Sequence, residues 1–102
     1  MIFQLLPEAI QEGEQTARWY EERRSGYGNR FLAAIADVRL NIEQNPRLYP
    51  RVYGRRSSRE IRVAALKRFP YKLVYEIVGN DCYVLAIAHH SRRPFYWRKR
   101  RP

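Results

Sequence analysis

"FPYKLVYEIVGNDCYVLAIAHHSRRP", residues 69–94, decides the fold. The runs "YKLVYEIV" and "CYVLAIAHH" are rich in β-branched and aromatic residues and alternate with period two, the pattern of strands. "GND" at 79–81 lies between them, and a glycine-led pair of turn residues flanked by such runs is a tight hairpin signal. Upstream, "EIRVAAL" (60–66) reads as a third strand.

Before that strand, "PRLYPRVYGRRSSR" (46–59) has two prolines, a glycine and no sustained periodicity, so it is a loop. Earlier still the period becomes 3.6. Phe31, Ile35, Val38 and Ile42 share one helical face, and that helix stops at Asn45-Pro46. A preceding helix begins at Pro7, where the missing N–H has no partner to lose, although Leu6 is a poor cap. Its apolar face is predicted to hold Ile10, Ala17 and Tyr20, with Trp19 and Tyr20 as packing residues, and Gly26 and Gly28 end it. "IFQLL" at the start reads as a short strand. The expected fold is α+β: β-α-α-β-β-β, with an αα-hairpin on one face of a small, mainly antiparallel sheet, a basic C-terminal tail, and one domain over residues 1–102.

Strand parity sorts side chains onto two faces. A bulky set, Ile61, Val63, Tyr71, Leu73, Tyr75, Ile77, Tyr83, Leu85 and Ile87, is expected under the helices. The other set, Arg62, Ala64, Lys72, Val74, Glu76, Val84, Ala86, Ala88 and His90, has small residues in the middle and cations at the rims, a shallow basic groove.

The chain of 102 residues carries a net charge of +10, unevenly spread. Residues 1–45 hold seven acids against five arginines, and residues 46–102 hold fifteen Lys or Arg against three acids, giving −2 and +12. The second half is built to meet a polyanion: RNA, DNA or an acidic protein. The lone Cys82 offers neither an internal disulfide nor a metal cluster, and a reducing cytoplasm is the expected compartment. The sequence calls for no metal and no cofactor. The opening residues lack a basic leader region, and no stretch approaches the ~20 apolar residues of a membrane span, so no membrane partner is expected.

The element order, "NPRLYP" after the second helix, "REIRV", the long stretch 69–94 and a closing Trp97 among basic residues together resemble the RelE/ParE superfamily of bacterial toxins from type II toxin-antitoxin systems. The resemblance covers nearly the whole chain. It implies a growth-inhibiting toxin held in check by an acidic cognate antitoxin, with DNA gyrase as target in the ParE-like branch and mRNA on the ribosome in the RelE-like branch. A ParE-like protein binds and is no enzyme, whereas a RelE-like one is an endoribonuclease.

RNA cleavage needs a base for the 2′-hydroxyl, an acid for the leaving 5′-oxygen and cations for the developing phosphorane charge. On the family pattern those roles fall on His90 and Tyr96 for proton transfer and on Arg62 and Lys72 for charge. Lys72 stands where many RNA-cutting members have Arg, losing the bidentate fork that suits phosphate, and Ala64 stands where a further cation would help. "FPY", "GND" and "HHSRRP" are more similar to the ParE side. In either branch Arg92, Arg93, Arg98, Lys99, Arg100 and Arg101 are the candidates for contacting target or antitoxin. Phe95 and Trp97 are expected to anchor the tail by packing, leaving the cations from 98 to 101 projecting without a structural role. A basic nucleic-acid-binding domain without toxicity is the remaining alternative.

Overall fold

A computed structural model describes residues 1–52 and 58–102, so part of the loop read at 46–59 lies outside the described residues. The elements follow the expected order: β1 (Phe3–Leu5), α1 (Pro7–Arg23), α2 (Tyr27–Gln44), β2 (Glu60–Ala65), β3 (Tyr71–Val78) and β4 (Asp81–His89). The sheet order is β1-β4-β3-β2, with β1 parallel to β4 and the other pairs antiparallel. The β3–β4 hairpin closes on the opposed pair Val78 and Asp81, and Gly79 supplies the positive φ of 61° at the turn. Among the described residues no helix is long and apolar enough to cross a membrane.

Pro7 opens α1, and Leu6 caps it without a side-chain hydrogen bond. The face α1 buries is Ala9, Gly13 and Ala17, a stripe of small residues at spacing four, and it lets the helix axis come close to the sheet and to α2. Ile10, expected on that face, is exposed. Trp19 is also exposed, with the Arg23 guanidinium 3.7 Å from its ring centroid, whereas Tyr20 packs on Phe31, Phe69 and Tyr71. Gly26 at the cap of α2 has no side chain to satisfy the first backbone donors. The Glu21 carboxylate does so from α1, accepting the N–H groups of Gly26 (3.0 Å) and Gly28 (3.0 Å).

The helices cover one sheet face through Phe31, Val38 and Ile42, packed on Leu73, Tyr75, Ile77, Val84 and Ile87. Burying each large apolar side chain here contributes roughly 1.5–3 kcal/mol. The other face is no open groove. Leu6, Ile61, Val74, Leu85 and Ala86 form a second cluster around Trp97, which the tail folds back over the sheet. This is why both central strands carry runs of five buried residues, Leu73–Ile77 and Val84–Ala88.

Two features correct the parity assignment. The register shifts between Val74 and Tyr75, whose partners are Ala86 and Val84, so Leu85 is an extra residue in β4. That bulge moves Val84 and Cys82 to the helix side and Leu85 to the opposite cluster. In β2 the sides are exchanged: Ile61 and Val63 belong with the tail, Ala64 with the helices, and Arg62 is opposed to Tyr75. A strand with apolar residues on both faces gives alternation nothing with which to choose between them. His90 follows the last strand residue and has left the sheet.

Candidate functional site

The tail leaves β4 through Ser91 and returns across the sheet in successive tight turns, in which the N–H of Arg98 donates to Phe95 O (3.0 Å) and that of Arg100 to Trp97 O (2.9 Å). Two charged clusters fix it. Arg59 pairs with the buried Glu76 in a fork, Nε to Oε2 at 3.0 Å and Nη2 to Oε1 at 2.6 Å, and also donates to the carbonyls of Arg98 and Arg100, both at 2.7 Å. Glu12 of α1 is the second clamp. Its Oε2 accepts the Tyr96 hydroxyl (2.7 Å) and Arg100 Nη2 (3.2 Å), while Oε1 accepts Arg100 Nη1 (2.8 Å) and the backbone N–H of Ile87 (3.1 Å).

This clamp sits where β1 runs out. Leu6 N–H donates to Val84 O (3.0 Å), and among the described residues no strand continues beyond it along that edge. The next groups on that edge of β4 are met by side chains: Ile87 N–H by Glu12, and Leu85 O by Arg100 Nη1 (2.9 Å). One carboxylate and one guanidinium thus take the place of the missing strand.

Two expectations about the tail are contradicted, the first at Phe95, which is 41% exposed where anchoring by packing was expected. The second is at Arg100, which does not project; its side chain is 18% exposed and joined to a Glu12 that is 16% exposed. Arg98, Lys99 and Arg101 are exposed as expected. The sequence reading missed Glu12, Arg59 and Glu76. The available signal for Glu12 was its place beside the Ala9–Gly13–Ala17 stripe, since an acid flanking a buried helical face needs a cation, and the tail has a surplus.

The four residues considered for RNA cleavage do not share one site: Lys72 and Tyr96 line a common cleft, which Arg62 and His90 do not line. Arg62 lies on the opposite sheet face from Lys72, paired with Glu60 (2.8 Å) and donating to Tyr49 O (2.7 Å). The Tyr96 hydroxyl is spent on Glu12; burial pushes its pKa far above the usual phenol value, and the hydrogen bond to Glu12 adds to the shift. A hydroxyl held this way is a weaker proton donor than a free phenol, and its proton is already committed to Glu12. His90 is exposed in the turn after β4, and its backbone N–H donates to Pro70 O (2.9 Å). His89 has its ring 5.0 Å from that of Tyr71, and its Nδ1 accepts the Ser91 N–H (3.0 Å).

Lys72, Arg92 and Arg93 do come together. They border a cleft of about 140 Å³ that lies between the sheet and the returning tail and is also lined by Tyr96 and Trp97. The Arg92 guanidinium stands 3.9 Å from the centroid of the Tyr96 ring.

Comparison with known proteins is consistent with this architecture. A family model described as the ParE toxin of type II toxin-antitoxin system, parDE, matches residues 3–94. A solved structure of the chromosomal ParDE TA system from P. aeruginosa is similar in fold, with a TM-score of 0.63 at 15% identity over 87% of this chain and 95% of that chain. No curated protein matches.

Proposed function

The chain belongs to the ParE toxin family of type II toxin-antitoxin systems, and from that premise we propose that it arrests growth by binding DNA gyrase, without cutting RNA. Membership implies a cognate antitoxin. The observation that carries the mechanism is the dispersal of the nuclease candidates. Cleavage requires a base, an acid and a cation around one phosphate. Here Arg62 is committed to Glu60 on the far side of the sheet, and the Tyr96 hydroxyl is donated to Glu12. What the tail and sheet edge do offer is exposed charge: Arg92, Arg93, Arg98, Lys99 and Arg101. Exposed cations of one sign accelerate encounter with an anionic target such as the gyrase–DNA complex and lose that advantage as salt rises.

The test is induction from a tight promoter with two readouts in parallel, DNA-damage signalling and mapped mRNA ends, followed by a supercoiling assay with purified gyrase. Damage signalling and loss of supercoiling are expected, and a His90→Ala, Tyr96→Phe double variant that stays folded should remain toxic. Cleaved mRNA without damage signalling, lost by ~10²-fold or more in the double variant, would reverse the assignment.

A further inference from the structure

The basic residues divide by what they already hold. Arg59, Arg62 and Arg100 are each paired with a glutamate. Among the described residues none of Lys72, Arg92 and Arg93 forms an ion pair, yet they come from β3 and the turn after β4 to border one cleft. Its floor is aliphatic: Val63 of β2 is partly exposed there, with Val74 of β3 and Ala88 of β4 buried behind it. Val52, Pro94 and Phe95 also line it, and among the described residues no lining residue is acidic. Phe95 reaches this place in a left-handed conformation with φ 61°, a cost of about 1–3 kcal/mol for a non-glycine residue, and strain of this kind gathers at ligand clamps.

We propose that this cleft is a socket for one branched apolar side chain of an acidic peptide segment, whose flanking carboxylates pair with Lys72, Arg92 and Arg93. Size argues for a single side chain, because about 140 Å³ is well below the roughly 300 Å³ at which small-molecule sites begin. Chemistry argues for a peptide over a nucleic acid. Single-stranded bases bind on successive open aromatic faces, but of the three tail rings Phe95 alone is exposed, Trp97 is 5% exposed, and the Tyr96 ring has Arg92 at 3.9 Å and Arg100 at 5.1 Å from its centroid. An aliphatic floor beneath three unpaired cations instead complements a carboxylate-rich strand with a leucine-like anchor. The inference rests on membership of a toxin-antitoxin family, which supplies a protein partner, and is independent of gyrase as target.

The experiment uses the purified full chain with labelled methyl groups and three probes. The first is a capped heptapeptide with a central leucine between three acidic residues on each side. The second is the same peptide with a central alanine, and the third is a short oligothymidylate of equal charge. The expected result is saturable shifts of the Val63, Val74 and Ala88 methyls with the leucine peptide. It should bind about tenfold or more tightly than the alanine peptide, the difference expected from burying the larger side chain. A Lys72→Glu, Arg93→Glu variant, checked for an unchanged unfolding midpoint, should weaken the leucine peptide at least as much. Equal affinity of the two peptides, methyl shifts only outside the cleft, or tighter binding of the oligothymidylate at these methyls would each overturn the proposal. Failure of the gyrase assay would leave these readouts untouched, so the two readings fail separately.

Discussion

Replacing Glu12 by alanine removes four hydrogen bonds at once: from the Tyr96 hydroxyl, from Arg100 Nη1 and Nη2, and from the Ile87 N–H. Breaking a fully buried pair costs about 3–5 kcal/mol, because the surviving charge is stranded. Arg100 keeps 18% of its side-chain exposure and its bond to Leu85 O, so water and one carbonyl recover part of that loss. The Ile87 N–H and the Tyr96 hydroxyl recover less, at about 1–3 kcal/mol for each group left unsatisfied. Taking these together, Glu12→Ala should cost about 2–4 kcal/mol out of a total of about 5–15. For a chain of this length that lowers the melting temperature by roughly 10–25 °C. Urea unfolding monitored by tryptophan fluorescence reports on it, since Trp97 lies within the clamped segment.

Arg100→Ala and the double variant complete a cycle, and the coupling between the two sites should exceed about 0.5 kcal/mol. A Glu12→Ala variant within about 0.5 kcal/mol of the parent would place the residue among ordinary surface positions and refute the clamp. The same reasoning reverses the expectation that residues 98–102 are dispensable for stability. Their removal strands Glu12 and takes away the carbonyls of Arg98 and Arg100 that Arg59 holds.

Two further outcomes are expected. Gly28→Ala places a Cβ 2.8 Å from the carbonyl oxygen of Ala17, a backbone atom that cannot step aside, and should cost about 1–3 kcal/mol, whereas Gly13→Ala meets side-chain methyls, Ile87 Cδ1 at 3.0 Å and Ile35 Cδ1 at 4.0 Å, and should cost less; chemical denaturation of the two variants checks the order. Burial would raise the Glu60 carboxyl, but hydrogen bonds and charge from Arg47 and Arg62 outweigh it and hold it below its usual value. A depressed folded-state pKa stabilises above the unfolded value of about 4.3 and is lost as pH falls through the folded one, so Glu60→Gln should flatten stability against pH between about pH 5 and 3.

The elements were legible because each carries its own period: the hairpin at Gly79, the stop at Asn45-Pro46 and the start at Pro7 all stand where the residues place them. Faces were not legible where local pattern is silent. An extra residue at Leu85 reverses parity without changing composition, and Ile61 and Val63 are as apolar as any residue under a helix although they lie under the tail. The burial of Trp97 followed from its chemistry. Its clamps did not, because they join groups far apart in sequence: 88 positions between Glu12 and Arg100, and 17 between Arg59 and Glu76.

That division matters for locating the functional charge. The tail carries six cations, and one of them, Arg100, is structural, so truncation confounds loss of contact with loss of fold. Arg98, Lys99 and Arg101 lie beyond the buried Trp97 on the exposed side, and Arg92 and Arg93 lie before it beside the cleft. Trp97 thus separates two cation groups that share a segment but face different surroundings, one an open surface and the other an apolar socket. A long-range field attracts an anionic partner through both groups alike. Selection among anionic partners requires short-range complementarity as well, and among the described residues the six-cation tail pairs charge with a shaped apolar floor at Arg92 and Arg93. On the proposed reading specificity belongs to the cleft and encounter to the whole tail, so single substitutions at Arg93 and at Arg98 should separate the two.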